Sequence, residues 1–153
     1  MRKIVSGGQT GVDRAALDVA LELEIPCGGW CPKDRLAEDG RIAGHYPLKE
    51  TASAEFQVRT ELNVLDSDGT LILLWGAPGG GTLFTRHCAL HHNKPLFEAD
   101  LQQKPRITDF HNWLAAHSIA ILNVAGPRES HCPGQIYEAA KAHLKSYFAN
   151  TRS

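Results

Sequence analysis

Three glycine-rich segments of the sequence have the composition of anion-binding loops. They are residues 6–14 (SGGQTGVDR), residues 76–82 (GAPGGGT) and residues 126–134 (GPRESHCPG). Glycine lets a backbone approach a ligand closely, and the free N–H groups at the start of a helix attract negative charge. The segments therefore predict a site for a phosphate group, although they match neither a Walker A loop nor a dinucleotide fingerprint.

Each of these segments follows a short run of residues that is typical of a β-strand, and the first two lead into a helix. Hydrophobic periodicity predicts strands at residues 3–6, 26–30, 70–75, 94–97 and 119–124, and helices at residues 12–25, 54–65, 82–92, 109–117 and 135–149. The polar residues between 31 and 52 predict a long functional loop. We expect one Rossmann-like α/β domain over residues 1–153, with an open, mostly parallel sheet of five or slightly more strands and helices on both faces.

In such a sheet the carboxyl ends of the strands meet at one edge, where ligands bind near the switch point of the strand order. That order cannot be read from the sequence. The residues expected to bind the ligand lie in the glycine-rich segments and at the end of the fifth strand: Gly7, Gly8, Gln9, Thr10, Gly11, Asp13, Arg14, Gly79, Gly80, Gly81, Thr82, Asn123, Gly126 and Arg128.

Within this set we expect a division of roles. Backbone amides, hydroxyl groups and the Arg128 guanidinium would bind the phosphate, whereas Asp13 and Asn123 would contact polar groups of a ring or ribose. Arg59 and Glu61 fall within a predicted helix whose apolar positions are already assigned, so both are interpreted as parts of a solvated face.

The composition excludes several classes of function. The net charge is −1, from 16 basic and 17 acidic residues without a basic stripe, which argues against binding to nucleic acid. No apolar run approaches the length of a membrane span, and the N-terminus does not resemble a secretory signal, so we expect a cytoplasmic protein without membrane contact. Four cysteines are expected to be reduced thiols, and the spacing of the Cys and His pairs predicts no metal site.

Four ordered motifs resemble a known family. They are residues 6–17 (SGGQTGVDRAAL), residues 59–70 (RTELNVLDSDGT), residues 80–82 (GGT) and residues 122–128 (LNVAGPR). Together they resemble the molybdenum carrier proteins, in the circularly permuted YpsA-like branch of the SLOG, or LOG-like, Rossmann superfamily. The resemblance implies a Rossmann-like homo-oligomer, a dimer or tetramer. It also implies a small phosphorylated ligand, either molybdenum cofactor as bound cargo or a nucleotide derivative.

Three functions remain open at this stage. The leading hypothesis is a binding protein, a carrier or sensor for a phosphorylated heterocycle. The alternative is a LOG-like hydrolase acting on the N-glycosidic bond of a nucleotide. Since the glutamate of the PGGxGTxxE motif of LOG-type enzymes is absent, the hydrolase would need Glu61 or Asp68 as its acid-base group. The third is an oligomeric interaction module without a ligand.

Overall fold

The computed structural model describes residues 1–149; residues 150–153, the end of the predicted domain, lie outside the described part. The elements in chain order are β1 (Lys3–Val5), α1 (Val12–Glu22), β2 (Cys27–Gly28), β3 (Trp30–Cys31), β4 (Leu36–Ala37), β5 (Gly40–Arg41), β6 (Lys49–Glu50), α2 (Phe56–Leu65), β7 (Gly69–Leu74), α3 (Gly80–His91), β8 (Leu96–Asp100), α4 (Ile107–Ala116), β9 (Ile121–Ala125) and α5 (Ile136–Phe148). The predicted Rossmann-like α/β fold is confirmed.

Five strands form a central sheet in the order β2-β1-β9-β7-β8, and every neighbouring pair is parallel. Strand β9, the last one in residues 1–149, therefore lies in the middle of the sheet. If β9 is counted as the first strand, the order becomes 3-2-1-4-5, which is that of a doubly wound dinucleotide-binding sheet. Its switch point falls between β9 and β7.

Helices cover both faces of the sheet. On one face, α1 and α4 pack against α5, while α2 and α3 pack together on the other. The main core lies on the α5 side, where the buried rings of Phe110 and Tyr147 stack with centroids 4.3 Å apart. Within residues 1–149, every helix is too short or too polar to span a lipid bilayer.

Residues 31–52 differ from the predicted continuous loop. They contain two small sheets, β3 with β6 and β4 with β5, and the segment is organised around the buried side chain of Arg35. Its guanidinium donates hydrogen bonds to the carbonyl oxygens of Ile42, Ala43 and Tyr46, at 3.1, 2.7 and 3.1 Å. Strands of two residues have no measurable periodicity, so hydropathy alone could not reveal them.

A buried histidine on α5 predicts that the fold loses stability in mild acid. His143 lies 3.0 Å from the Tyr147 hydroxyl, and burial lowers its pKa, with Asp100 opposing and Arg106 reinforcing the shift. Below the unfolded pKa of about 6.5, the unfolded chain takes up a proton that the folded chain does not, and stability falls as pH decreases.

Between pH 7.5 and 5.5 the free energy of unfolding should fall less in His143→Gln than in the wild type, and the difference should reach up to about 1 kcal/mol. Urea unfolding at the two pH values measures it. His117→Gln, which changes an exposed histidine, serves as the control. Parallel pH dependences for the wild type and both variants would contradict this assignment.

Candidate functional site

A cavity of about 350 Å³ opens at the carboxyl edge of the sheet, beside the switch point between β9 and β7. This volume falls within the range of small-molecule sites. All three glycine-rich segments reach its wall. The predicted site residues that line it are Gly7, Gln9, Asp13, Gly79, Gly80, Gly81, Thr82, Asn123, Gly126 and Arg128.

The charged centre of the cavity wall is Arg59, from the first half of α2. Its side chain is 10% exposed, and its guanidinium donates hydrogen bonds to the Gly7 carbonyl oxygen at 2.9 Å and to Thr60 Oγ1 at 3.1 Å. Burial lowers the pKa of Arg59, and the nearby Asp13 opposes that shift. An arginine nevertheless stays protonated in a protein, so the cavity wall carries a fixed positive charge.

Gly7 allows this arginine to come so close to the first strand. A Cβ atom at Gly7 would overlap the Arg59 guanidinium. A glycine is therefore needed at position 7 to leave room for the Arg59 side chain, in addition to any contact with a ligand.

Asp13, in the first turn of α1, is the one carboxylate among the cavity-lining residues that the structure describes. Its Oδ2 lies 3.5 Å from Arg59 Nη1 and accepts the Gln9 N–H at 3.3 Å. Burial raises the pKa of Asp13, while Arg59 and the Gln9 N–H lower it. The carboxylate is therefore a buried partner that holds Arg59 in place.

The start of α3 forms the opposite part of the wall. Within the described residues no side-chain hydrogen bond caps this helix, and, apart from the adjoining backbone of the same segment, no atom lies within 4 Å of a Cβ position built at Gly79, Gly80 or Gly81. The N–H groups of the first helical turn have no intrahelical partners. Together with the helix dipole they attract an anion.

Aromatic and cationic side chains surround the cavity. The guanidinium carbons of Arg59 and Arg128 lie 5.4 and 5.9 Å from the centre of the Phe56 ring, at the first residue of α2. Phe84 and His131 also line the wall. Among the described lining residues, two arginines and one carboxylate thus share the cavity wall with two phenylalanine rings.

Four of the predicted residues lie outside the cavity wall: Gly8, Thr10, Gly11 and Arg14. Arg14 donates hydrogen bonds to the Gly8 carbonyl oxygen and pairs with Asp39 at 2.9 Å, while the Thr10 hydroxyl bonds to Glu38 at 2.5 Å. Thr10 and Arg14 thus connect the first glycine-rich segment to the turn between β4 and β5.

The two acid-base candidates also lie away from the cavity. Glu61 is half exposed on α2 and bonds to His92 at 3.0 Å. Asp68 accepts the backbone N–H groups of Ala120 and Ile121 at 3.0 and 2.7 Å, which places it at the amino end of β9, on the edge opposite the site. The fold therefore brings neither carboxylate to the glycine-rich edge.

Comparison with known proteins identifies the family of this chain. Residues 4–148 match the circularly permutated YpsA SLOG family. The chain belongs to this family. It is also similar to a Syntrophus aciditrophicus SB protein of known crystal structure, named "Putative molybdenum carrier protein". The sequence identity is 46%, over 96% of this chain and 94% of the other, and the TM-score is 0.89. Among curated proteins, none is similar enough to count as a match.

The cavity wall includes two residues that helical periodicity did not assign to the site, Arg59 and Asn63. The interpretation of Arg59 as part of a solvated face is wrong, because its guanidinium is buried against Gly7. Asn63 accepts the Trp30 N–H at 2.8 Å and donates to the Trp30 carbonyl oxygen at 3.0 Å, also at the cavity wall. Both residues belong to the motif at residues 59–70, the signal that could have identified them.

Proposed function

We propose that this protein binds a phosphorylated flat heterocycle in the cavity and acts as its carrier or sensor. The observation that carries the proposal is the buried guanidinium of Arg59, which shares one cavity with the uncapped start of α3. A fixed cation and free backbone N–H groups favour a phosphate group. Arg128 adds a second positive charge at the rim.

The heterocyclic part of the proposal is supported by Phe56 and Phe84. Both rings line the cavity, and an aromatic side chain offers a flat apolar surface to a planar ring. Gln57 and Thr60, from the same helix as Phe56, add polar groups that can orient such a ring. Trp30 does not line the cavity, and its indole N–H donates a hydrogen bond to Asp66.

Molybdenum cofactor is a ligand of this class, because it combines a pterin ring with a phosphate monoester. The name of the Syntrophus aciditrophicus protein makes it the first ligand to test. We propose that the present chain carries molybdenum cofactor, as a cytoplasmic homo-oligomer. A nucleotide derivative has the same two chemical features and remains in the ligand class.

The proposal can be tested on protein purified under native conditions. Mass spectrometry of small molecules released by denaturation, with elemental analysis for molybdenum, should detect a phosphorylated heterocycle. Guanosine 5′-monophosphate should raise the melting temperature more than guanosine does, since only the nucleotide supplies the phosphate. No copurifying ligand, together with equal responses to the two compounds, would contradict the proposal.

The rival hydrolase is weaker because Glu61 and Asp68 lie outside the cavity. Asp13 is the one carboxylate among the described lining residues, and it is paired with Arg59. Incubation with nucleoside monophosphates and chromatography for free base tests for turnover. Release that disappears in Asp13→Asn would make the protein an enzyme rather than a carrier.

We predict a modest role for Arg128 in phosphate binding. Its side chain is 46% exposed, so solvent screens its charge. Arg128→Ala should weaken the binding of guanosine 5′-monophosphate by about 1 kcal/mol and leave the binding of guanosine nearly unchanged, as measured by isothermal titration calorimetry. Equal losses for both compounds would show that Arg128 supports the loop and does not contact phosphate.

A further inference from the structure

Three chain segments beside the cavity meet at the carboxylate of Glu38, between β4 and β5. Its Oε1 accepts hydrogen bonds from the Thr10 hydroxyl at 2.5 Å and from the Ser130 N–H at 3.0 Å. Its Oε2 accepts the Ser130 hydroxyl at 2.6 Å. One side chain thus joins the first and third glycine-rich segments.

Further hydrogen bonds strengthen this junction. The Glu38 N–H donates to Gln9 Oε1 at 2.8 Å, and the Thr10 hydroxyl accepts the Glu129 N–H at 3.1 Å. Burial favours the neutral form of Glu38, but the bonds from Ser130 and Thr10 and the charge of Arg128 outweigh burial, and the pKa of Glu38 is lowered. The carboxylate is therefore ionised at neutral pH.

The same carboxylate also lies near the cation at the cavity rim. Arg128 Nη1 is 3.9 Å from Glu38 Oε2, too far for a hydrogen bond but close enough for electrostatic attraction. An anion that enters the cavity competes with Glu38 for Arg128. Glu38 therefore has two opposing effects, since it holds the segment that carries Arg128 and partly neutralises its charge.

We propose that Glu38 is a positioning residue that sets the affinity of the cavity for anions. Its hydrogen bonds fix residues 128–130, and its negative charge limits how strongly Arg128 attracts a phosphate. The inference rests on the proposed function, because it assumes that the cavity binds an anion.

Two substitutions separate these effects. Glu38→Gln keeps an acceptor for Thr10 and for the Ser130 N–H, and its amide can donate to the Ser130 hydroxyl, but it removes the charge. Glu38→Ala removes both. Asp39→Asn is the matched control, because it removes one negative charge from the neighbouring position, where Asp39 pairs with Arg14 away from the cavity.

The first measurement needs no ligand. Hydrogen exchange at the Glu129 and Ser130 amides should be faster in Glu38→Ala and unchanged in Glu38→Gln and Asp39→Asn. The second is calorimetric titration with guanosine 5′-monophosphate. Glu38→Gln should bind about two- to five-fold more tightly than the wild type, the size expected of a partly screened charge. Glu38→Ala should bind about three- to ten-fold more weakly, because residues 128–130 must be ordered on binding.

Unchanged exchange in Glu38→Ala would overturn the positioning role. Unchanged or weaker nucleotide binding by Glu38→Gln would overturn the charge effect. A gain in affinity in Asp39→Asn as large as that in Glu38→Gln would overturn it as well. A wild-type protein that binds no phosphate compound would contradict the proposed function, and the charge effect with it. Hydrogen exchange would still decide whether Glu38 positions the segment.

Discussion

Replacing Arg59 by lysine should weaken the binding of guanosine 5′-monophosphate by about 10- to 100-fold, which corresponds to the loss of one or two charge-assisted hydrogen bonds in a buried site. Lysine retains a positive charge opposite Asp13, so the buried carboxylate keeps a counter-charge and the fold should survive. It lacks the planar donor arrangement that lets a guanidinium bond to Gly7 and a phosphate together. Calorimetric titration with the nucleotide and with guanosine measures the effect.

The comparison with guanosine makes this prediction specific to phosphate. Affinity for the nucleoside should change less than about twofold, because guanosine lacks the phosphate with which Arg59 is proposed to form charge-assisted hydrogen bonds. Arg86→Lys is the matched control, since Arg86 lies on α3 and pairs with Glu98 outside the cavity. Equal weakening of both compounds, or a comparable loss in the Arg86 variant, would show that Arg59 does not bind phosphate.

Local patterns were sufficient for the main elements of this fold. The uninterrupted apolar run before residue 75 predicted β7, whose first five residues are buried, and helical spacing predicted α1 and α5. The bounds were less certain. The fourth core strand begins at Leu96 rather than at residue 94, because the Lys94 N–H donates to the Ala89 carbonyl oxygen at the end of α3 and Pro95 has no N–H to pair in the sheet.

The arrangement of the site depended on contacts that no local pattern contains. Arg59 and Gly7 are 52 positions apart, and periodicity along α2 says nothing about a guanidinium that donates to the Gly7 carbonyl oxygen, beyond the end of β1. The position of β9 in the middle of the sheet is equally invisible from the alternation of strands and helices. That position brings residues 126–128 beside the first glycine-rich segment. The sequence therefore predicted the edge of the sheet where the cavity lies but not the charge at its centre.

This close approach of distant segments predicts a large effect on stability at Gly11. Its φ of +80° is unfavourable for residues with a side chain. A Cβ there would also lie 2.5 Å from the Pro127 carbonyl oxygen and 2.8 Å from the backbone nitrogen of Glu129. These atoms belong to a backbone already tied to α1, since the Val12 N–H donates to the Pro127 carbonyl oxygen at 3.1 Å. Gly11→Ala must therefore strain one segment or displace the other.

We expect Gly11→Ala to lower the free energy of unfolding by about 2–5 kcal/mol, the sum of backbone strain and steric overlap. Urea unfolding measures the loss, and substitutions at two other glycines separate the contribution of backbone strain from that of steric overlap. Gly40 has a φ of +112° and open space around its Cβ position, so Gly40→Ala reports strain alone. Gly44 has open space and no positive φ, and Gly44→Ala should be nearly neutral. A loss at Gly11 no larger than that at Gly40 would mean that residues 127–129 move aside. Gly11→Ala should then also bind the nucleotide more weakly, because Arg128 moves with these residues.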